Sequence, residues 1–319
     1  MSDALSRILA LCTTLGACAE TMDASRAAHP VGTATHADAD ADGEAPLWGG
    51  TVGTRTSKVN GASYWFDDIE PVYGELDELI RYATVDLHES VLSDERVRTL
   101  APANHRVRAA YERDKELIQA RNLLQARDGR ARLQRTIEHE TYWALGEELR
   151  GAIHGSRRIL VVGSGPLPLT ALCIGSTLDV RVTCVERDAE CHDLGRQLIA
   201  LSGLEQRFES INADILDLTE FDGYDAIVGV VLLGVSTAGQ QESTKATIAH
   251  HIIDQMSPGM RMVLRDPHGL GKLLYPSVDL APSNHVDVTR HVPKIGPSHP
   301  YRSGLVVAER RSPGSGHAH

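Results

Sequence analysis

The chain has 319 residues, a formal net charge of −11 at pH 7 and a pI of about 5.7. Its length allows two modest domains with a sizeable core. The acidic balance argues against a nucleic-acid partner, because binding to phosphates needs a basic surface. No apolar run approaches the roughly 20 residues that span a bilayer. The five cysteines include no C-x-x-C pair, which favours reduced thiols in a cytoplasmic protein.

The N-terminal half is predicted to be helical. Residues 1–45 are expected to form one amphipathic helix, up to about residue 24, and then a small, acidic, flexible linker. A bundle of helices is expected over 46–152. Its first helix is predicted to begin at Ile69, and further helices are predicted over about 85–100, 103–126 and 130–152.

A nucleotide-binding βαβ unit follows. Ile159–Val162 is a short apolar run typical of a strand buried on both faces. Gly163-Ser164-Gly165 comes directly after it, and a helix is predicted from about Leu169 to Ser176. Glycines at such a turn let backbone N–H groups approach a ligand. Glu186 ends the next predicted strand, 21 residues after Gly165, where a carboxylate typically binds the hydroxyls of an adenosine ribose.

The alternation of strands and helices continues to residue 310. Strands are predicted at Phe208–Ile215, Tyr224–Val235 and Met260–Arg265, a helix at Thr244–Met256, and an antiparallel pair at His285–Val292 and Ser303–Arg310. This order predicts a Rossmann-like α/β domain over 153–310, with a doubly wound sheet and a terminal antiparallel pair, followed by a polar tail at 311–319. It is the layout of the class I S-adenosylmethionine-dependent transferases.

The ligand of a doubly wound sheet lies across the carboxyl ends of its strands. The residues expected there are Gly163, Ser164, Gly165, Pro166, Glu186, Asp214, Val231, Leu232, Arg265 and His268. An NAD site would need G-x-G-x-x-G, but Pro168 stands at the third glycine position. Asp214 suits an adenine amino group. The pattern therefore favours S-adenosylmethionine over NAD.

Three stretches resemble one family. GSGPLPLT (163–170) and SPGMRMVLRDPHGLGKLLYPSVD (257–279) resemble nicotianamine synthase and its bacterial relatives that make opine-type metallophores. IEPVYGELDELIRYAT (69–84) is similar to the family's N-terminal helical segment. The resemblance covers about residues 69–310. It implies transfer of the 3-amino-3-carboxypropyl arm of S-adenosylmethionine to a small amine or phenol, with release of methylthioadenosine, in specialised metabolism.

The resemblance also implies a general base upstream of the first strand. IEHETYWAL (137–145) is similar to a family stretch that carries a glutamate. Glu140 is accordingly the candidate base, with Glu138 if the register shifts and Tyr142 as a neighbour. The alternative is that these side chains lie on a solvated helix face. Asp266-Pro267 departs from the family's usual small residues, which bears on the pocket for the arm and argues against a metallophore product.

Further candidates are weaker. Arg265 and Lys272 are candidates for binding a substrate carboxylate, although a surface position is favoured for Lys272. His268 fits either the site or a structural role beside a glycine turn, and Tyr275 is expected to order its loop. The 15 histidines show no H-E-x-x-H or Cys/His spacing, so no metal site is predicted.

Four functions remain open from the sequence. The first is aminocarboxypropyl transfer to a separate acceptor, and the second is closure of the arm on its own amine to give azetidine-2-carboxylate. Closure needs a small, dry pocket, for which Trp65, Phe66 and Tyr142 could form a lid. The third is methyl transfer, with S-adenosylhomocysteine as product, and the fourth is nucleotide binding without catalysis. The resemblance favours the first two, and neither the acceptor nor the oligomeric state can be read from the sequence.

Overall fold

The computed structural model describes residues 2–28, 64–231, 234–235, 244–283, 285–291 and 304–311. The helices are α1 (Ser2–Ala28), α2 (Tyr64–Arg81), α3 (Val85–Ser93), α4 (Glu95–Gln125), α5 (Gly129–Ile137), α6 (Glu140–Ala152), α7 (Leu169–Thr177), α8 (Ala189–Ser202) and α9 (Lys245–Gln255). The strands are β1 (Arg158–Val162), β2 (Arg181–Glu186), β3 (Phe208–Asn212), β4 (Ala226–Gly229), β5 (Arg261–Asp266), β6 (Val286–His291) and β7 (Gly304–Arg310).

The strands form one mixed sheet in the order β3-β2-β1-β4-β5-β7-β6. Strands β1 to β5 are parallel, and β7 lies antiparallel between β5 and β6. Val162 at the end of β1 pairs with Val185 on one side and Gly229 on the other. The carboxyl ends of the three central strands therefore lie side by side. The predicted fold class, a doubly wound sheet with a terminal antiparallel pair after N-terminal helices, is confirmed.

Two predicted strands are shorter in the structure. The third strand ends at Asn212 because Asp214 caps a 3-10 turn at Ile215–Asp217, with its Oδ1 accepting a hydrogen bond from the Leu216 amide at 3.0 Å. The fourth covers only Ala226–Gly229. Leu232 and Leu233, in the remainder of that predicted strand, lie outside the described residues.

Several helix boundaries also differ from the prediction. The first helix of the 46–152 region begins at Tyr64 and includes Pro71, so Ile69 does not start it. The break predicted after residue 100 occurs at Asp94 instead, where the backbone is extended and the carboxylate accepts a hydrogen bond from the Arg96 amide at 2.9 Å. Pro102 lies within α4. The predicted helix over 130–152 is divided into α5 and α6.

Helix α4 joins the N-terminal helices to the sheet. Its residues Val107 and Tyr111 pack in a cluster with α1, α2, α3 and the 3-10 turn Gly269–Leu273. One end of the same helix contributes Ala120 and Leu123 to the core on one face of the sheet, together with α5 to α8. The part of α4 between these clusters consequently passes the carboxyl ends of the strands.

No helix among the described residues is long and apolar enough to cross a membrane. The domain boundaries at residues 45, 152 and 310 stay predictions. Most of the predicted linker at 25–45 and of the tail at 311–319 lies outside the described residues.

Candidate active site

A cavity of about 240 Å³ lies at the carboxyl ends of the parallel strands, between the sheet and helices α4 and α6. Nine of the residues predicted for the site contribute to its wall: Gly163, Ser164, Gly165, Pro166, Glu186, Asp214, Val231, Arg265 and Tyr142. Strand order alone explains this convergence, because each of the first eight follows or ends a parallel strand.

The turn after β1 depends on its two glycines. Gly163 has φ = 73° and Gly165 has φ = 69°, a left-handed conformation that favours glycine. The Gly163 amide donates a hydrogen bond to the Val185 carbonyl at 2.8 Å, which attaches the turn to β2. A Cβ at position 165 would lie 3.0 Å from Glu116 Oε2. The missing side chain thus permits both the backbone conformation and the approach of α4.

Glu186 holds the glycine turn from the end of β2. Its Oε2 accepts a hydrogen bond from the Gly165 amide at 2.9 Å, and its Oε1 accepts one from the Asp188 amide at 3.0 Å. Burial raises the pKa of Glu186, and the two backbone donors oppose the increase. Each carboxylate oxygen keeps a second lone pair, so the group is suited to accept hydrogen bonds from vicinal hydroxyls of a ribose.

Ion pairs fix the cavity wall next to Glu186. Asp214 Oδ2 lies 3.5 Å from Arg187 Nη1. Asp188 caps α8 and also accepts a hydrogen bond from Arg113 Nη2 at 2.8 Å. Because Arg113 belongs to α4, this contact ties the helix to the end of β2.

Helix α4 supplies site residues that the sequence reasoning missed. Glu112, Arg113 and Glu116 all line the cavity. Burial, followed by the nearby carboxylates of Glu112 and Glu186, raises the pKa of Glu116 well above its usual value, while Arg265 opposes the increase. The i, i+4 spacing of Glu112 and Glu116 could have indicated that they share one face of the helix. Because charged residues are frequent on every face of α4, this spacing does not single them out.

The residues predicted to act in catalysis lie at different places on and before α6. Tyr142 is partly buried in the cavity wall, and burial, with a contribution from Glu116, raises the pKa of its phenol well above the usual value. Glu140 is the first residue of α6, and its side chain is outside what the structure describes. Glu138 is exposed and accepts a hydrogen bond from Gln134 at 2.7 Å.

The remaining predicted residues lie away from the cavity wall or outside the described residues. His268, which precedes the 3-10 turn Gly269–Leu273, and Lys272, which lies within it, are both exposed. The carboxylate of Asp266 accepts a hydrogen bond from the Val278 amide at 2.8 Å and lies 3.4 Å from Lys245 Nζ. Asp266, one of the two residues noted above as a departure from the family pattern, therefore forms a buried ion pair with Lys245. Leu232 is not among the described residues.

A family model and several relatives match this chain in one family. A family model described as nicotianamine synthase protein matches residues 67–313. Nicotianamine synthase of Solanum lycopersicum is 30% identical over 128 residues, which cover 39% of this chain and 38% of that protein. Nicotianamine synthase 9 of Hordeum vulgare is 31% identical over 128 residues, covering 38% of this chain and 36% of that protein. The chain thus matches less than two fifths of the length of these two relatives.

Solved structures show the same fold. MtNAS in complex with MTA and tNA superposes with a TM-score of 0.64 at 17% identity, covering 77% of this chain and 89% of that one. A glutamate-to-glutamine variant of MtNAS in complex with S-adenosylmethionine gives a TM-score of 0.63 at 15% identity, with coverage of 77% and 92%. The family model spans most of the sequence, and the chain belongs to the nicotianamine synthase family.

Proposed function

We propose that this protein transfers the 3-amino-3-carboxypropyl group of S-adenosylmethionine to a small amine or phenol and releases methylthioadenosine. Family membership supports the type of reaction. The cavity supports the co-substrate, because the glycine turn and Glu186 form a site for an adenosine at the carboxyl ends of the strands. Solved MtNAS structures are described as complexes with S-adenosylmethionine or MTA.

The position of Glu116 is the observation that carries the proposal. Its carboxyl group lies in the cavity wall directly against the glycine turn, and burial together with Glu112 and Glu186 raises its pKa. A carboxylate with a raised pKa is a stronger base near neutral pH. We assign the general base to Glu116 rather than to Glu140, because Glu116 lines the cavity.

The proposed step is a displacement at the carbon of the arm that is bonded to sulfur. A lone pair of the acceptor forms the new bond to this carbon, the carbon–sulfur bond breaks, and its electron pair stays on sulfur as the neutral thioether of methylthioadenosine. The acceptor's proton passes to Glu116. Since a sulfonium is already a good leaving group, the protein mainly aligns the reacting atoms. Tyr142 remains a neutral phenol, because its pKa is raised, and can donate a hydrogen bond beside Glu116.

One second function is kept, because closure of the arm to azetidine-2-carboxylate needs no separate acceptor. Closure requires a dry pocket around the arm, and Tyr142 lies partly buried in the cavity wall.

Incubation of the purified protein with S-adenosylmethionine alone, followed by mass spectrometry, separates these functions. Methylthioadenosine with azetidine-2-carboxylate would establish closure of the arm. Binding without turnover would direct the work to a screen of amines and phenols, in which transfer predicts methylthioadenosine and an acceptor enlarged by the arm. Formation of S-adenosylhomocysteine would contradict both functions.

A further inference from the structure

Arg108 forms a buried support behind one wall of the cavity. Its guanidinium carbon lies 4.6 Å from the ring centroid of Tyr73, 5.6 Å from that of Tyr111 and 5.3 Å from that of Tyr275. Its Nε donates a hydrogen bond to the Tyr275 hydroxyl at 3.0 Å. Stacking on aromatic rings holds the guanidinium in a fixed plane. Arg108 is only 7% exposed, so we infer that it orients a neighbouring side chain and does not contact a ligand.

That neighbouring side chain is Glu112, one helical turn along α4. Arg108 forms an ion pair with Glu112 Oε1, and the Tyr275 hydroxyl donates to the same oxygen at 3.4 Å. Glu112 also lines the cavity. Glu112 is consequently a carboxylate held in place at the cavity wall by the Arg108 guanidinium and the Tyr275 hydroxyl.

The charges of the cavity wall favour a cationic group at this position. Among the wall residues that the structure describes, the carboxylates are Glu112, Glu116, Glu186, Asp188 and Asp214, and the guanidinium groups are Arg113, Arg187 and Arg265. Arg113 is paired with Asp188 and Arg187 with Asp214, both at the nucleotide end. Arg265 acts on Glu116, where it opposes the increase in pKa. Glu112 is therefore the carboxylate of this part of the wall that is available to a positive group of the ligand, with Arg108 behind it.

The spacing of Glu112 and Glu116 matches the proposed co-substrate. Residues four apart on a helix are separated by about 6 Å along its axis. In the aminocarboxypropyl arm, the α-ammonium nitrogen is three bonds from the carbon bonded to sulfur, each bond about 1.5 Å long. With Glu116 at the reacting carbon, Glu112 is within reach of this nitrogen.

We propose that Glu112, braced by Arg108 and Tyr275, binds the α-ammonium group of the aminocarboxypropyl arm. The inference rests on the proposed function and adds to it the residue that recognises the arm. An ammonium paired with a carboxylate keeps its proton and is not a nucleophile. The same contact would therefore favour transfer to a separate acceptor over closure of the arm.

Calorimetric titration with three nucleosides tests this assignment without requiring turnover. The ligands are S-adenosylhomocysteine, its analogue with hydrogen in place of the α-amino group, and methylthioadenosine, which has no arm. In the wild type, removal of the amino group should weaken binding about tenfold or more, as expected for a hydrogen-bonded charge pair. In Glu112→Gln the two arm-bearing ligands should differ by less than about threefold, with methylthioadenosine binding unchanged. Glu147→Gln, which alters an exposed glutamate of α6, should behave as the wild type.

Equal binding of S-adenosylhomocysteine and the deaminated analogue to the wild type would overturn the assignment, whether or not Glu112→Gln folds. The assignment would also be overturned if Glu112→Gln preferred S-adenosylhomocysteine over the deaminated analogue as strongly as the wild type does, because another residue would then bind the amine. If methylthioadenosine binds, but the wild type binds S-adenosylhomocysteine and the deaminated analogue equally well, the proposed function stands without this inference. Absence of binding by all three nucleosides would refute the proposed function as well.

Discussion

Gly165 and Glu116 face each other so closely that a Cβ on the glycine would lie 3.0 Å from a carboxylate oxygen of the glutamate. The two residues come from different parts of the fold, the turn after β1 and the middle of α4. Their contact brings an acidic side chain against the turn that is expected to hold the adenosine end of the ligand. The turn proposed to bind the nucleotide and the proposed general base therefore belong to the same cavity wall.

Gly165→Ala should weaken the binding of methylthioadenosine. The substitution places a side chain at φ = 69° and against Glu116, and the left-handed conformation alone should lower the free energy of unfolding by about 1–2 kcal/mol. Gly155→Ala is the matched control, because Gly155 has φ = 84° and nothing within 4 Å of an added Cβ. Both variants should lose stability in chemical denaturation, and only Gly165→Ala should lose affinity. Equal affinities of the two variants would argue that the Gly165–Glu116 contact does not shape the site.

Glu116→Gln should abolish most of the turnover while leaving nucleoside binding intact. Glutamine keeps the size of the side chain but cannot accept the acceptor's proton, and loss of a general base typically lowers the rate by about 10² to 10⁴. The production of methylthioadenosine, measured in single turnovers, gives the rate, and calorimetry gives the affinity for methylthioadenosine. A variant that retains wild-type turnover would exclude Glu116 as the base and return Glu140 to consideration.

The same substitution should stabilise the protein at neutral pH. The pKa of Glu116 is raised in the folded state, so the folded protein binds more protons than the unfolded chain above about pH 4.3, the ordinary glutamate pKa. The contribution of Glu116 to the free energy of unfolding consequently falls as the pH rises from that value to the folded pKa. The free energies of unfolding of Glu116→Gln and of the wild type would be measured by denaturation at pH 4 and pH 7.5. The variant should gain stability relative to the wild type between the lower and the higher pH. A difference that does not change with pH would contradict the raised pKa.

Asp266→Asn should be the most damaging of these changes to stability. Asp266 and Lys245 form a buried pair, with the two residues only 7% and 2% exposed. Removing one partner of such a pair typically costs about 3–5 kcal/mol. Burial lowers the pKa of Lys245 to about 8, so the loss should be smaller at pH 9.5, where the lysine is largely neutral. Asp279→Asn is the control, since Asp279 is fully exposed although paired with Arg290, and it should change stability by less than about 1 kcal/mol.

The sheet, and the meeting of Gly165 and Glu186 at one edge of it, could be predicted because their signals are local. An apolar run such as Ile159–Val162 has few ways to be buried, and a glycine turn followed by an acid at the next strand end places both on one rim. Gly165 and Glu186 accordingly form the hydrogen bond that joins the turn to β2.

The opposite wall could not be predicted because it depends on how α4 docks. Glu112 and Glu116 resemble the many other charged residues of this helix until the packing of Val107 and Leu123 orients one face toward the sheet. The surroundings of the Asp266 side chain could not be predicted either. The sequence predicted Asp266 directly after the fifth strand, and the structure has it as the last residue of β5. The direction of its side chain, toward Lys245, follows from tertiary packing.

The fate of the methyl group of S-adenosylmethionine tests the central claim most directly. The wild-type protein would be incubated with S-adenosylmethionine carrying ¹³C in its methyl group, alone and with a panel of amines and phenols, and all labelled products identified by mass spectrometry. Transfer of the aminocarboxypropyl arm predicts that the label stays with the nucleoside, as methylthioadenosine. Label found in an acceptor, with unlabelled S-adenosylhomocysteine as the nucleoside product, would contradict the account.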